Sequence, residues 1–332
     1  MENYKFGACL PTFGSCADRF VLSGYGGGGE TVEEMLALAT QVPELKGVEL
    51  VGNWHINDDN IQKIKQVLSD MNLRACMLVP DLWTQAKWGK GSFASPQEKT
   101  RKEAIAEVKK VMDWAVELNC EYIDLWFGQD GYDYCFQADF EAAWENIALG
   151  VAECAEYRKE IKICIEYKIK EPRTHIHVGT VGKTLLLVNE LARENVGVLL
   201  DVGHALAAGE NVAESIALLH GRGRKKLFYL HFNDNYRAWD DDMMVGSVHT
   251  IEYLELLYWM KRVGYQGWLT LDIFPYREDG VLAAKESIAW IQGMFQALDK
   301  IGDEHLEQVI ASGNATEASR LVRTALFPGE TD

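Results

Sequence analysis

The chain has 332 residues, 48% of them hydrophobic, and carries 33 Lys and Arg against 50 Asp and Glu for a formal charge of -17. That acidic surplus repels polyanions, so nucleic acid is not an expected partner and no phosphate-tracking surface is expected. The length suits either one large α/β barrel of about 250 residues with an extension or two ordinary domains, so the order of elements must decide. Seven cysteines with no CxxC pair read as reduced thiols. The start Met1-Glu2-Asn3-Tyr4-Lys5 lacks the apolar stretch of a signal peptide, and no apolar run approaches the roughly 18 residues of a membrane span. A cytoplasmic protein with no membrane association is therefore expected.

Short runs rich in Val, Ile, Leu and Phe alternate with longer segments whose apolar residues recur at helical spacing. In chain order, a strand over 6–10 is followed by a helix over 31–41, one over 47–51 by a helix over 61–71, and one over 73–79 by a helix over 96–118. The next pairs are 122–127 with 140–158, 161–166 with 181–194, 196–201 with 213–219, 227–232 with 251–263, and 268–273 with 281–298. Thr31-Val-Glu-Glu34 forms a capping box, and Ser95-Pro96 supplies an N-cap followed by proline at the first helical position. Eight βα units with right-handed crossovers predict a single (β/α)8 TIM barrel over residues 1–300. A short C-terminal helical extension, 301–332, follows with helices over 304–312 and 317–326. An open doubly wound sheet is the alternative, but it leaves two edges and gives no reason for acidic residues to end so many strands. Glycines 26–29 follow the first strand without a GK[ST] element or a GxGxxG helix entry, and are expected to form a mobile loop rather than a phosphate cradle.

In such barrels the C-terminal ends of the strands face one mouth. The fifth strand ends in Glu166-Tyr-Lys168, and alternation turns Glu166 and Lys168 to the same side. The sixth ends at Asp201 with His204 beyond it; the seventh ends His231-Phe-Asn233 and leads to Asp240-Asp-Asp242; the eighth ends at Asp272. Unpaired, these carboxylates would repel one another, and a cation resolves the conflict. Oxygen-rich sets with one or two imidazoles suit Mg, Mn or Co rather than a structural zinc.

At these positions the sequence resembles the xylose isomerase family over most of the barrel. Asp81-Leu-Trp-Thr-Gln-Ala-Lys-Trp-Gly-Lys-Gly-Ser-Phe93 resembles that family's loop after strand three, and Leu125-Trp-Phe-Gly-Gln-Asp-Gly-Tyr132 its Trp-Gly-Gly-Arg-Glu-Gly motif. Glu166-Tyr-Lys168 with Glu171-Pro172, Asp201-Val-Gly-His204, Asp240-Asp-Asp242 and Asp272-Ile-Phe-Pro-Tyr-Arg-Glu-Asp279 resemble further motifs in the family's order. Asp201 and His231 stand where xylose isomerases have Glu and Asp, a combination similar to the L-rhamnose isomerases.

The resemblance implies two divalent ions per subunit, Mn2+, Mg2+ or Co2+. One would be held by Glu166, Asp201, His231 and Asp272, the other by Asp201, His204, Asp240 and Asp242. It implies interconversion of an unphosphorylated aldose and its ketose by a 1,2-hydride shift, with Lys168 on the carbonyl oxygen and His55, beside Asp58, as the candidate for ring opening. Trp83 and Trp126, with Trp88, are candidate walls against sugar C–H faces. Barrels resembling this family pair or form tetramers, so a homo-oligomer is expected. One alternative is a ketose 3-epimerase with a single metal and Glu166 and Asp272 as acid and base, which leaves Asp240 and Asp242 without purpose. Others are a sugar lyase of the same barrel superfamily, a catalytically silent sugar-binding barrel, and a DNA-repair endonuclease, which the acidic charge disfavours.

Overall fold

Eight strands made of nearly continuous apolar sequence can be buried on both faces only if the sheet closes on itself or is covered on both sides. A computed structural model, which describes residues 4–17 and 20–327, shows that it closes. The barrel strands are Lys5–Cys9, Leu45–Val51, Arg74–Val79, Tyr122–Trp126, Lys162–Glu166, Val196–Asp201, Leu227–Phe232 and Trp268–Leu271. All neighbours run parallel in chain order, and the first pairs with the eighth.

The period of two along each strand sorts its side chains. Outward residues such as Val48, Leu50, Ile123, Ile163, Val198 and Leu230 join the helices in one continuous core. Inward residues Met77, Cys164, Leu199, Tyr229 and Trp268 fill the lower barrel. Gly47 is needed there because a Cβ would lie 2.9 Å from the Trp268 ring. At the upper ends the same parity turns Cys9, Glu49, Asp124, Glu166, Asp201, His231 and Asp272 towards the axis, so the apolar plug becomes the floor of a polar mouth.

The helices between strands run from Val32–Ala39 to Gly280–Ile301, each close to the range expected from periodicity. The capping box at Thr31 and Glu34 is present. Ser95 is not an N-cap: the third long helix starts at Glu98 with Gln97 as its N-cap, and the Ser95 hydroxyl accepts from Gln97 N instead, because Pro96 disfavours helical backbone at the residue before it. Of glycines 26–29, the first two have open surroundings and the last two are held. Gly29 pairs with Gly14 and donates to Phe13 O at 2.8 Å, while a Cβ on Gly28 would collide with the Gly14 carbonyl.

Two features lie outside the simple alternation. A three-stranded antiparallel sheet of Gly131–Tyr132, Thr174–Ile176 and Lys170–Glu171 joins the loops after the fourth and fifth strands. A short helix, Val202–Ala207, follows the sixth strand without a loop. Beyond the barrel, helices Asp303–Ser312 and Ala315–Leu326 pack beside Gly280–Ile301; residues 328–332 of the expected extension lie outside the described residues. All seven cysteines are free thiols. No helix among the described residues is long and apolar enough to cross a membrane.

Candidate metal centre

The barrel mouth opens into a cavity of about 450 Å³. Seven carboxylates line it, Glu49, Asp124, Glu166, Glu171, Asp240, Asp242 and Asp272, against one lysine, Lys168, and two histidines, His204 and His231. Asp201 lies fully buried beside them.

Strand geometry places the first group. Glu166, Asp201, His231 and Asp272 each offer a ligand atom within 4.8 Å of the others. His231 Nδ1 is 3.2 Å from Glu166 Oε1, 3.5 Å from Asp272 Oδ2 and 3.8 Å from Asp201 Oδ2. Asn233 Nδ2 donates to Asp201 Oδ2 at 2.8 Å and fixes that carboxylate from the seventh strand.

The second group depends on the short helix. Asp201 is its N-cap, accepting from His204 N at 2.7 Å, and one helical turn then brings the His204 ring back over the strand ends. Asp201, His204 and Asp240 form a second set of convergent ligand atoms that shares Asp201 with the first. Asp240 and Asp242 ride on a loop closed at its base by the Asp234–Met243 bridge. Asp234 anchors that loop by accepting from Val248 N, His249 N and His249 Nδ1. Asp242 lines the same cavity, its backbone held by Phe274 N at 3.0 Å.

Lys168 is buried, with its ammonium 2.7 Å from Asp240 Oδ2 and also paired with Glu171. Burial opposes its charge, but Asp240, Glu171 and Asp242 together push its pKa up. Burial likewise opposes the Asp240 charge, yet Lys168 and His204 hold that carboxyl well below the usual carboxylate range.

With protein charges alone, burial pushes Asp201 up to about 7, the Asp240, Glu166 and Asp272 carboxylates adding to it and His204 opposing. Burial pushes Asp242 well above the ordinary range, Asp240, Asp272 and Asp201 adding to it and Lys168 opposing. Against burial, Asp201, Asp240 and Glu166 raise His204 to about 10. Buried atoms at the mouth without a hydrogen-bonding partner include His204 Nδ1, Asp240 Oδ1, Asp124 Oδ1 and Trp126 Nε1. Buried polar atoms are ordinarily satisfied. A self-repelling ring of hard oxygens with two imidazoles and unsatisfied lone pairs fits divalent cations of the Mg, Mn or Co type.

One wall is aromatic. Trp54, Trp83 and Trp126 stand edge to face with ring centres 5.8 and 5.0 Å apart, and the Lys168 ammonium lies 5.1 Å from the Trp126 ring.

Two expected site residues are elsewhere. Trp88 is fully buried in the core with Lys87 over its ring, because the turn Ala86–Trp88 points it down between barrel and helix. His55 does not line the cavity: its Nδ1 accepts from Val51 N at 2.9 Å, and the ring packs edge-on behind Trp54. Burial depresses its pKa to about 4. Asp58 pairs with Lys110 and accepts from Trp114 Nε1, on the outside of the barrel.

Glu49, Asp124 and Trp54 were missed. The signal was present for the two carboxylates, since the inward parity applied to the later strands also selects Glu49 in the second and Asp124 in the fourth. Trp54 carried none, because its position depends on the turn after Val51.

The family described as the xylose isomerase-like TIM barrel matches residues 36–294. Xylose isomerase from Thermus thermophilus is 27% identical over 235 residues, which are 68% of this chain and 60% of that protein. The enzyme of the same name from Thermus caldophilus is 26% identical over the same coverage. The chain thus spans about 60% of the length of these curated relatives. Among solved structures, a D-tagatose 3-epimerase-like protein superposes with a TM-score of 0.71 at 19% identity, covering 90% of this chain and all of that one. An L-ribulose 3-epimerase superposes with a TM-score of 0.68 at 14% identity, covering 94% and 98%. Those two likenesses establish the fold, and the family match over most of the barrel shows that the chain belongs to the xylose isomerase-like TIM barrel family.

Proposed function

We propose that the protein is a divalent-metal-dependent isomerase that interconverts an unphosphorylated aldose and its ketose. The observation that carries this reading is the pair of ligand groups that share Asp201, with Lys168 between them and the aromatic wall. Glu166, Asp201, His231 and Asp272 would hold one ion; Asp201, His204, Asp240 and Asp242 would hold the other. When bound, the ions supply Lewis acidity to the sugar's carbonyl and hydroxyl oxygens.

The protein's own groups account for the rest. The Lys168 ammonium is placed to donate to the carbonyl oxygen at C1 and to stabilise the charge that develops there. Asp240, between Lys168 and His204, is placed to accept a hydrogen bond from the C2 hydroxyl, whose proton passes to the C1 oxygen. As that proton leaves, the C2–H pair moves to C1 as hydride and the oxygen pair closes the C2 carbonyl, so atoms and electrons balance. Trp54, Trp83 and Trp126 cover the sugar's C–H faces and keep water from the migrating hydrogen. The excess of carboxylates over cations disfavours a sugar phosphate.

A second reading is a ketose 3-epimerase, favoured by the approach of both Glu166 and Asp272 to His231 Nδ1. It leaves the Asp201, His204 and Asp240 group unused. The test is a chromatographic assay of metal-stripped protein, with Mg2+ or Mn2+ restored, against pentoses, hexoses and deoxyhexoses. The proposal expects metal-dependent aldose–ketose interconversion that Asp240→Asn and Asp242→Asn abolish. Interconversion of C3 epimers that survives both substitutions would establish the epimerase.

A further inference from the structure

Glu49 is the least explained group at the mouth. It is only 1% exposed, lines the cavity from the second strand, and belongs to neither shared-Asp201 group. Both its carboxylate oxygens lie 3.1 Å from His231 Nε2, and the Cys9 thiol donates to Oε2 at 3.4 Å. The opposite ring nitrogen, Nδ1, faces Glu166, Asp201 and Asp272. His231 therefore spans two carboxylate environments, one at each nitrogen.

A neutral imidazole carries one N–H, and an ionised carboxylate accepts only. If the proton sat on Nδ1, Nε2 would present a lone pair to both Glu49 oxygens at hydrogen-bond distance, which is repulsive. With the proton on Nε2, Glu49 is satisfied, and the Nδ1 lone pair, 3.2 Å from Glu166 Oε1, is relieved by a cation held among Glu166, Asp201 and Asp272, which is the arrangement the ligand group provides. The Tyr229 ring, edge-on with its centre 5.9 Å from the imidazole, helps to hold the ring plane.

We propose that Glu49 is a positioning residue that accepts the Nε2–H of His231 and so fixes its tautomer and ring orientation for coordination through Nδ1. The inference rests on the metal-site reading above. A carboxylate behind a ligating histidine raises the ligand's basicity, and its loss typically weakens metal binding 10- to 100-fold. Cys9 holds Glu49 from the first strand, a smaller contribution because a thiol is a weak donor.

The test is calorimetric titration of Mn2+ into the metal-stripped full chain as wild type, Glu49→Gln, Cys9→Ser, Asp201→Asn and Asp130→Asn. Asp130 is a buried carboxylate that accepts from Ser92 and Ala94, does not line the cavity, and controls for a merely structural loss. The expected result is loss of tight binding in Asp201→Asn, weakening of about 10- to 100-fold in Glu49→Gln, and wild-type affinity in Cys9→Ser and Asp130→Asn. Wild-type affinity in Glu49→Gln, with Asp201→Asn still impaired, would overturn the positioning role alone. An equal loss in Cys9→Ser and Glu49→Gln would overturn it too, by making Cys9, Glu49 and His231 themselves the ion's ligands. No Mn2+ binding by the wild type, or normal binding by Asp201→Asn, would remove the metal-site reading and the proposal with it. Should Glu49→Gln fail to fold, long-range 15N spectra of Mg2+-loaded wild type decide: a proton on His231 Nε2 supports the proposal, and a proton on Nδ1 overturns it.

Discussion

Replacing Lys168 with methionine separates its electrostatic contribution from its packing. The methionine keeps an unbranched stem against Trp126 and removes only the ammonium that lies 2.7 Å from Asp240 and pairs with Glu171. The Lys168 and Asp240 side chains are 9% and 8% exposed, so solvent screens the pair weakly. Leaving a buried charge without its partner costs about 3–5 kcal/mol. Asp240 keeps His204 as a partner, so urea unfolding of the metal-free protein at neutral pH should show a loss in Lys168→Met below that figure, about 1.5–3 kcal/mol, the worth of a hydrogen bond to a charged group. Saturating Mn2+ should recover part of the loss, because a cation beside Asp240 replaces the missing charge. Removing a donor aimed at developing oxygen charge costs about 100- to 1000-fold in turnover, and sugar interconversion by Lys168→Met should fall by that much at saturating substrate. Wild-type stability together with wild-type turnover would refute both the pairing energy and the assigned donor.

Two pH experiments have opposite signs. Burial pushes Asp130 up to about 6 despite the bonds it accepts from Ser92 and Ala94. Its contribution is complete below pH about 4 and lost as the pH rises through about 6, so wild type should fall by about 3 kcal/mol relative to Asp130→Asn between those limits. Parallel denaturation curves for the two proteins across that range would contradict it. Burial depresses His55 to about 4, so its contribution is present above pH about 6.5 and lost as the pH falls towards 4. Wild type should lose about 3 kcal/mol relative to His55→Gln over that interval, with turnover at neutral pH little changed. A large loss of turnover in His55→Gln would restore it to the site. Trp126→Ala, which removes one face of the aromatic wall, should raise KM by about tenfold, the equivalent of one stacked ring; an unchanged KM would place the substrate elsewhere.

The barrel was legible because all eight strands carry near-continuous apolar runs and each is followed by a segment of helical period. Local chemistry was less so. Val202–Ala207 escaped notice because six residues are too short for a periodic signal, yet its N-cap, Asp201, is what brings His204 to the mouth. The side sheet escaped for the same reason: its strands are two or three residues long and pair only once the barrel has brought their loops together. Ser95-Pro96 misled because a serine before proline reads equally as a cap or as one further extended residue, and the local hydrogen bonds chose the second. His55 and Trp88 misled because loop side chains have no fixed parity; residue type suggested the mouth, while packing turned one behind Trp54 and the other into the core. Glu166, Asp201, His231 and Asp272 were legible for the converse reason, since on a strand the side of each residue follows from counting.

The most direct test of the central claim is proton NMR in D2O with Mg2+ and each candidate aldose, following the hydrogens at C1 to C3. The proposed isomerase forms ketose whose C1 carries only protium, its own hydrogen and the one transferred from C2. Deuterium at C3 of a ketose, or no metal-dependent conversion of any sugar, would contradict it.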